Sequence, residues 1–193
     1  HCFKARRRKK PSQLLVVAPL SGQKSIILRD LIIGLLPASD VYLLEWADAR
    51  DVPAHEGPFG MEQNIACILK AIKLLGIEIH LLGLCQSAAP LLAATSLLAA
   101  ASEAAQPLSL ILLAGLLDSR ITPSRIERLA RSFPLCWFEA HETTMVPSAF
   151  LGASRRVHPG DFQRIGLLGY LARHVANRLE LFQKVIHDDG EDA

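Results

Sequence analysis

Four short apolar runs, separated by segments of helical period, constrain this chain more than any other feature. They are Leu14 to Ala18 (LLVVA), Val41 to Trp46 (VYLLEW), Ile77 to Leu82 (IEIHLL) and Leu108 to Ala114 (LSLILLA). A run that is apolar at successive rather than alternate positions suits a strand buried on both faces. Between the runs, Ile27, Leu28, Leu31, Ile32 and Leu35 fit a helix that begins at Ser25 and closes at Pro37. Ile65, Ile68, Leu69, Ile72 and Leu75 fit a second helix over Met61 to Leu75, with Gly76 where a C-cap belongs. The Ala- and Leu-rich stretch Ser87 to Ala101 reads as a buried helix, because Pro90 in its first turn removes only an amide that had no intrahelical partner. Strands that alternate with helices imply parallel pairing, since each parallel connection must cross back over the sheet. The predicted class is α/β, a parallel sheet with helices on both faces.

The alternation stops at Asp118. Beyond it the sequence predicts a short helix near Ser124 to Arg131, a stretch from Phe133 to Pro159 rich in proline and aromatic residues, and a helix from Phe162 to about His187. Three regions follow: a basic N-terminal segment over 1–12, an α/β core over 13–122, and a helical covering subdomain over 123–193. The Ala47 to Gly60 loop holds Pro53, Gly57, Pro58 and Gly60 and is expected to be irregular. Both ends, KARRRKK at Lys4 to Lys10 and HDDGEDA at His187 to Ala193, read as solvated tails.

With 21 Lys and Arg against 19 Asp and Glu, the net charge of +2 argues against nucleic acid as a partner. The four cysteines, Cys2, Cys67, Cys85 and Cys136, form no CxxC pair, so neither a zinc site nor a disulfide framework is expected, and a reduced intracellular protein is. The most apolar stretches are shorter than a bilayer span, so no transmembrane segment is expected.

The chemistry-bearing segment is Gly83-Leu84-Cys85-Gln86-Ser87, which follows a predicted strand and opens a predicted helix. Small residues two before and two after a nucleophile are the pattern of a nucleophile elbow, a turn so sharp that bulkier flanks would collide with strand and helix. The residue at its apex sits at a helix N-terminus, where aligned peptide dipoles favour negative charge. The alternative for Cys85 is a buried, inert cysteine at a strand end. In α/β-hydrolases two backbone amides hold the oxyanion, one from the residue after the nucleophile and one from a loop after an earlier strand. Gln86 occupies the first place, and the Pro19-Leu20-Ser21-Gly22 loop occupies the second through Leu20 or Ser21.

These segments resemble the intracellular polyhydroxyalkanoate (polyhydroxybutyrate) depolymerases. The residues that match are LLVVAPLSG at Leu14 to Gly22, ILRD at Ile27 to Asp30, DVYLLEWADARDVP at Asp40 to Pro53, GLCQSAAP at Gly83 to Pro90 and LAGLLDSRITPS at Leu113 to Ser124, followed by PLCWFE, TTMVP, RRVHPG and LARHV. The resemblance implies an α/β-hydrolase in which Cys85 attacks the ester of a stored 3-hydroxyalkanoate polymer. It implies no metal or organic cofactor, a polymer or granule surface as partner, and a cytoplasmic, granule-associated location.

Two departures stand out. Such enzymes commonly have proline after the CQ pair, where this chain has Ser87. The resemblance places the family's acid and histidine in a later C-terminal region, so the chain is expected to be truncated before them and the sheet to be incomplete at that end. Within the chain, Asp118 follows the fourth strand, where some α/β-hydrolases place the acid, and is the one candidate; the resemblance points to a later Asp. His141, His158, His174 and His187 do not follow strands and read as surface or packing residues, and His80 as a satisfied core residue. Trp137, Phe138 and Phe150 could lie against polymer or simply pack. Two rival functions stay open: a polyhydroxyalkanoate synthase, whose elbow resembles G-x-C-x-G where this chain has Ser87, and a non-catalytic remnant that binds polymer granules. Polymer content on expression of the intact gene separates the first, and ester acylation the second.

Overall fold

The computed structural model describes residues 1–5, 11–20, 28–76, 78–101, 106–121, 123 and 125–160. Its centre is a five-stranded sheet in the order β1-β3-β2-β4-β5, formed by β1 (Cys2–Phe3), β2 (Ser12–Val17), β3 (Ser39–Leu44), β4 (Ile79–Leu84) and β5 (Ser109–Leu113). The pairs β2–β3, β2–β4 and β4–β5 are parallel, with Leu15 opposite both Tyr42 and Leu81 and Leu82 opposite Ile111. The α/β class is therefore as predicted, and the four apolar runs lie in the four parallel strands.

Alternation along β2 builds the three layers. Leu14, Val16 and Ala18 point to one face and pack with Val41, Leu43, Leu28 and Ile32, the last from α1 (Arg29–Leu35). Leu15 and Val17 point to the other, against Ile68 and Ile72 of α2 (Met61–Leu75) and Leu91, Ala94 and Leu98 of α3 (Ala88–Ala100). Successive side chains of a strand face opposite ways, so an unbroken apolar run is needed only where both faces are covered. Helix α2 ends as its sequence dictates: Gly76 takes φ +92° and its amide returns to the Ile72 carbonyl at 3.0 Å. At its start the Gln63 side chain accepts the Gly60 amide at 2.9 Å.

Several expectations change. The N-terminus is not wholly a solvated tail: Cys2 and Phe3 pair antiparallel with Tyr42 and Val41, the Ala5 amide and the Lys4 ammonium both bond Asp40, and the terminal amine donates to the Leu43 carbonyl. A two-residue strand has no periodicity to read, and the pairing depends on an edge that only the folded sheet offers. Helix α3 buries Ala88, Pro90, Leu91, Ala94 and Leu98 yet leaves Leu97 52% exposed, so it is covered on one side rather than all round. His80 is half-buried, not a core residue, and its Nδ1 meets the hydroxyl of Ser109 at 2.8 Å across the β4–β5 pair.

After β5 come α4 (Arg125–Ser132), close to the predicted short helix, then α5 (Leu135–His141) and a small antiparallel pair, β6 (Thr144–Met145) with β7 (Arg156–Val157). The sequence reading missed α5 and the pair, since seven- and two-residue elements beside Pro134 and Pro147 carry little pattern. This region is anchored on the 47–60 loop. The Arg155 guanidinium donates to the carbonyls of Val52 (2.8 Å), Gly57 (2.7 Å) and Pro53, and the Gly152 amide to that of Arg50 (2.6 Å). Gly152 is required there by space, because a Cβ would lie 2.2 Å from the Ala49 carbonyl oxygen. The predicted helix from Phe162 to His187 lies outside the described residues.

Candidate active site

The bend between β4 and α3 is built from residues the sequence singles out. β4 runs to Leu84, Cys85 to Ser87 form a single tight 3₁₀ turn, and α3 begins at Ala88. Strand β4 is an inner strand, flanked by β2 and β5, so the bend opens at the carboxyl end of the sheet's middle. Parallel α/β sheets bind their ligands at that end. Cys85 has φ +54°, in the left-handed region that a non-glycine residue occupies at a cost of about 1–3 kcal/mol. It is exposed rather than packed in the core.

Space around the bend is tight, which explains its small residues. A Cβ on Gly83 would lie 2.9 Å from Leu91 Cδ2 and 3.3 Å from both Ala88 Cα and the Ser87 carbonyl oxygen. Ser87 is 2% exposed and fully bonded: its Oγ accepts the Leu84 amide at 2.7 Å and lies within donating distance of the carbonyls of Val17 (2.8 Å) and Leu84 (2.9 Å). The hydroxyl thus links the bend to the end of β2.

The segment leaving β2 carries the predicted second oxyanion amide. Ala18 and Pro19 are buried and Leu20 is 46% exposed, while Ser21 lies outside the described residues. The Ala18 amide donates to the Leu44 carbonyl at 3.0 Å, and its carbonyl accepts the indole N–H of Trp46 at 2.8 Å. The Trp46 ring in turn packs against Phe59, with centroids 5.4 Å apart.

Two contributors escaped the sequence reading. The sequence places Trp46 in a strand and carries no sign that it donates to the end of the neighbouring one. Gly115 follows β5, after Ala114 at φ +50°, and presses on the bend: a Cβ there would lie 2.0 Å from Ala88 Cβ and 3.2 Å from the Cys85 carbonyl oxygen. The only sequence signal for it was a glycine just past an apolar run, which many turns share.

The titratable candidates are already engaged. Asp118 accepts Arg120 Nε at 2.8 Å, Nη2 at 2.7 Å and the Arg120 amide at 2.9 Å, and these bonds hold its carboxyl below the usual carboxylate range. His141 Nδ1 contacts the Trp137 carbonyl and its ring stacks on Trp137; His158 Nδ1 contacts the Glu142 carbonyl. His174 and His187 lie outside the described residues. Trp137 also stacks on Phe133 with centroids 4.4 Å apart and meets Phe138 edge-on. Arg50 lies over the Phe150 ring. Among the described residues no group of three or more His, Cys, Asp or Glu side chains is arranged to hold a metal ion, and no helix is long and apolar enough to cross a membrane.

No curated protein matches the chain. No solved structure matches it either. One family model does, and its match begins at the end of β5, beside Gly115, so that Cys85 lies outside the matched stretch. Residues 114–193, less than half of the chain, match the model of the PHB de-polymerase C-terminus, and that stretch is similar to this family.

Proposed function

We propose that this chain provides the nucleophile of a depolymerase that hydrolyses ester bonds of intracellular polyhydroxyalkanoate, with Cys85 as the attacking residue. The observation that carries the reading is the conformation of Cys85: an exposed cysteine at φ +54°, at the bend from an inner parallel strand into a helix. Strain at one side chain in such a place points to function, because nothing in packing alone requires a cysteine there. The match of residues 114–193 to the PHB de-polymerase C-terminus supports the substrate class.

In the reaction, sulfur adds to the ester carbonyl carbon and the carbonyl oxygen takes negative charge, held by the amides of Gln86 and of Leu20 or Ser21. Collapse breaks the carbon–oxygen bond, and the hydroxyl end of the shortened polymer leaves with a proton. Water then cleaves the thioester and frees Cys85. The proton acceptor is a histidine, as the resemblance implies. Asp118, the acid candidate within the chain, is paired with Arg120. The reaction takes place at the granule surface in the cytoplasm and uses no cofactor.

The test is a pre-steady-state burst with p-nitrophenyl butyrate, compared with Cys85→Ala, followed by clearing of a suspension of amorphous polyhydroxybutyrate granules. The reading expects a burst stoichiometric with protein in the wild type and none in the variant. Equal p-nitrophenol release from both proteins would remove Cys85 from the chemistry.

A further inference from the structure

Successive residues of a parallel strand turn their backbone groups to opposite neighbours, and Val17, the last residue of β2, and Ala18 just after it do so with side chains as partners. Ala18 turns to β3: its amide donates to Leu44 and its carbonyl accepts the indole N–H of Trp46 at 2.8 Å. Val17 turns to β4: its carbonyl accepts the Ser87 hydroxyl at 2.8 Å, and that hydroxyl accepts the Leu84 amide at 2.7 Å. Burial of Ser87 to 2% exposure shuts water out of this exchange. Proline in its place would offer no hydroxyl.

We infer that Ser87 and Trp46 are positioning residues that fix the end of β2, and with it Leu20, relative to the Cys85–Gln86 bend. The two donors grip consecutive carbonyls from opposite sides, so the strand end is held against both sliding and rotation. An oxyanion site assembled from two separate segments works only if their amides keep a fixed separation, and these bonds set it. The inference rests on Cys85 as the nucleophile.

The experiment uses the full chain, with Ser87→Ala and, as a variant that keeps an aromatic ring against Phe59, Trp46→Phe. Two rates are measured for each: acylation by p-nitrophenyl butyrate, which builds up an oxyanion, and alkylation of Cys85 by iodoacetamide, which does not. Peptide mapping separates Cys85 from the other exposed cysteines, Cys2, Cys67 and Cys136. Displacing rather than deleting an oxyanion donor should slow acylation roughly tenfold or more in either variant, with alkylation held within about twofold. A general loosening of the fold would move both rates together and overturns the inference, as does either folded variant acylating at the wild-type rate. A wild type that alkylates but does not acylate sinks the nucleophile reading itself.

Discussion

Replacing Gly115 by alanine probes how closely the segment after β5 fits against the bend. The new Cβ would lie 2.0 Å from Ala88 Cβ, whereas non-bonded carbons rest about 3.5–4.0 Å apart. Backbone on one side must therefore move by roughly 1.5 Å or more, since neither methyl can rotate away. Overpacking of this size costs about 1–3 kcal/mol. Ala88→Gly removes the opposing methyl and by itself costs about 1 kcal/mol, as glycine does in a helix. In the double variant the nearest atoms to the new methyl are the Cys85 carbonyl oxygen at 3.2 Å and residue 88 Cα at 3.5 Å, which a shift of a few tenths of an ångström relieves. The expectation is that the double variant is more stable than the sum of the two singles by about 1 kcal/mol or more. Urea unfolding of the four proteins measures it, with unchanged slopes required for the comparison. Additivity within about 0.5 kcal/mol would refute the contact.

Arg155→Ala should destabilise the docking of the 125–160 region by about 2–3 kcal/mol, because a charged donor shared among three carbonyls is lost; faster tryptic cleavage after Arg50 reports it. Arg155→Lys should recover little, since one ammonium does not span the Val52, Pro53 and Gly57 carbonyls. Asp40 is held below its ordinary value of 3.8, first by the Ala5 amide and then by Lys4. A depressed carboxyl contributes stability above its ordinary value and loses it as the pH falls through the depressed one. The Ala5 amide resonance should therefore titrate with a midpoint below 3.8, and Asp40→Asn should abolish that inflection; a midpoint at or above the ordinary value would show that the tether is absent in solution.

The α/β class and the two-sided core were legible because burial on both faces demands unbroken apolar runs, and runs such as LLVVA and IEIHLL have few other uses. The bend was legible for a related reason: steric limits on a strand-to-helix turn restrict residues two before and two after Cys85, so Gly83 and Ser87 betray it in five letters. Sequence said nothing of what Ser87 and Trp46 bond, of Gly115 reaching Ala88, of Arg155 gripping three carbonyls about a hundred positions away, or of Cys2 and Phe3 joining β3. Those contacts join segments far apart along the chain through single donors or single missing methyls, and they leave no periodicity behind. Local patterns are written by the burial each residue needs along its own strand or helix, whereas partnerships across strands exist only once the sheet has set the distances between them.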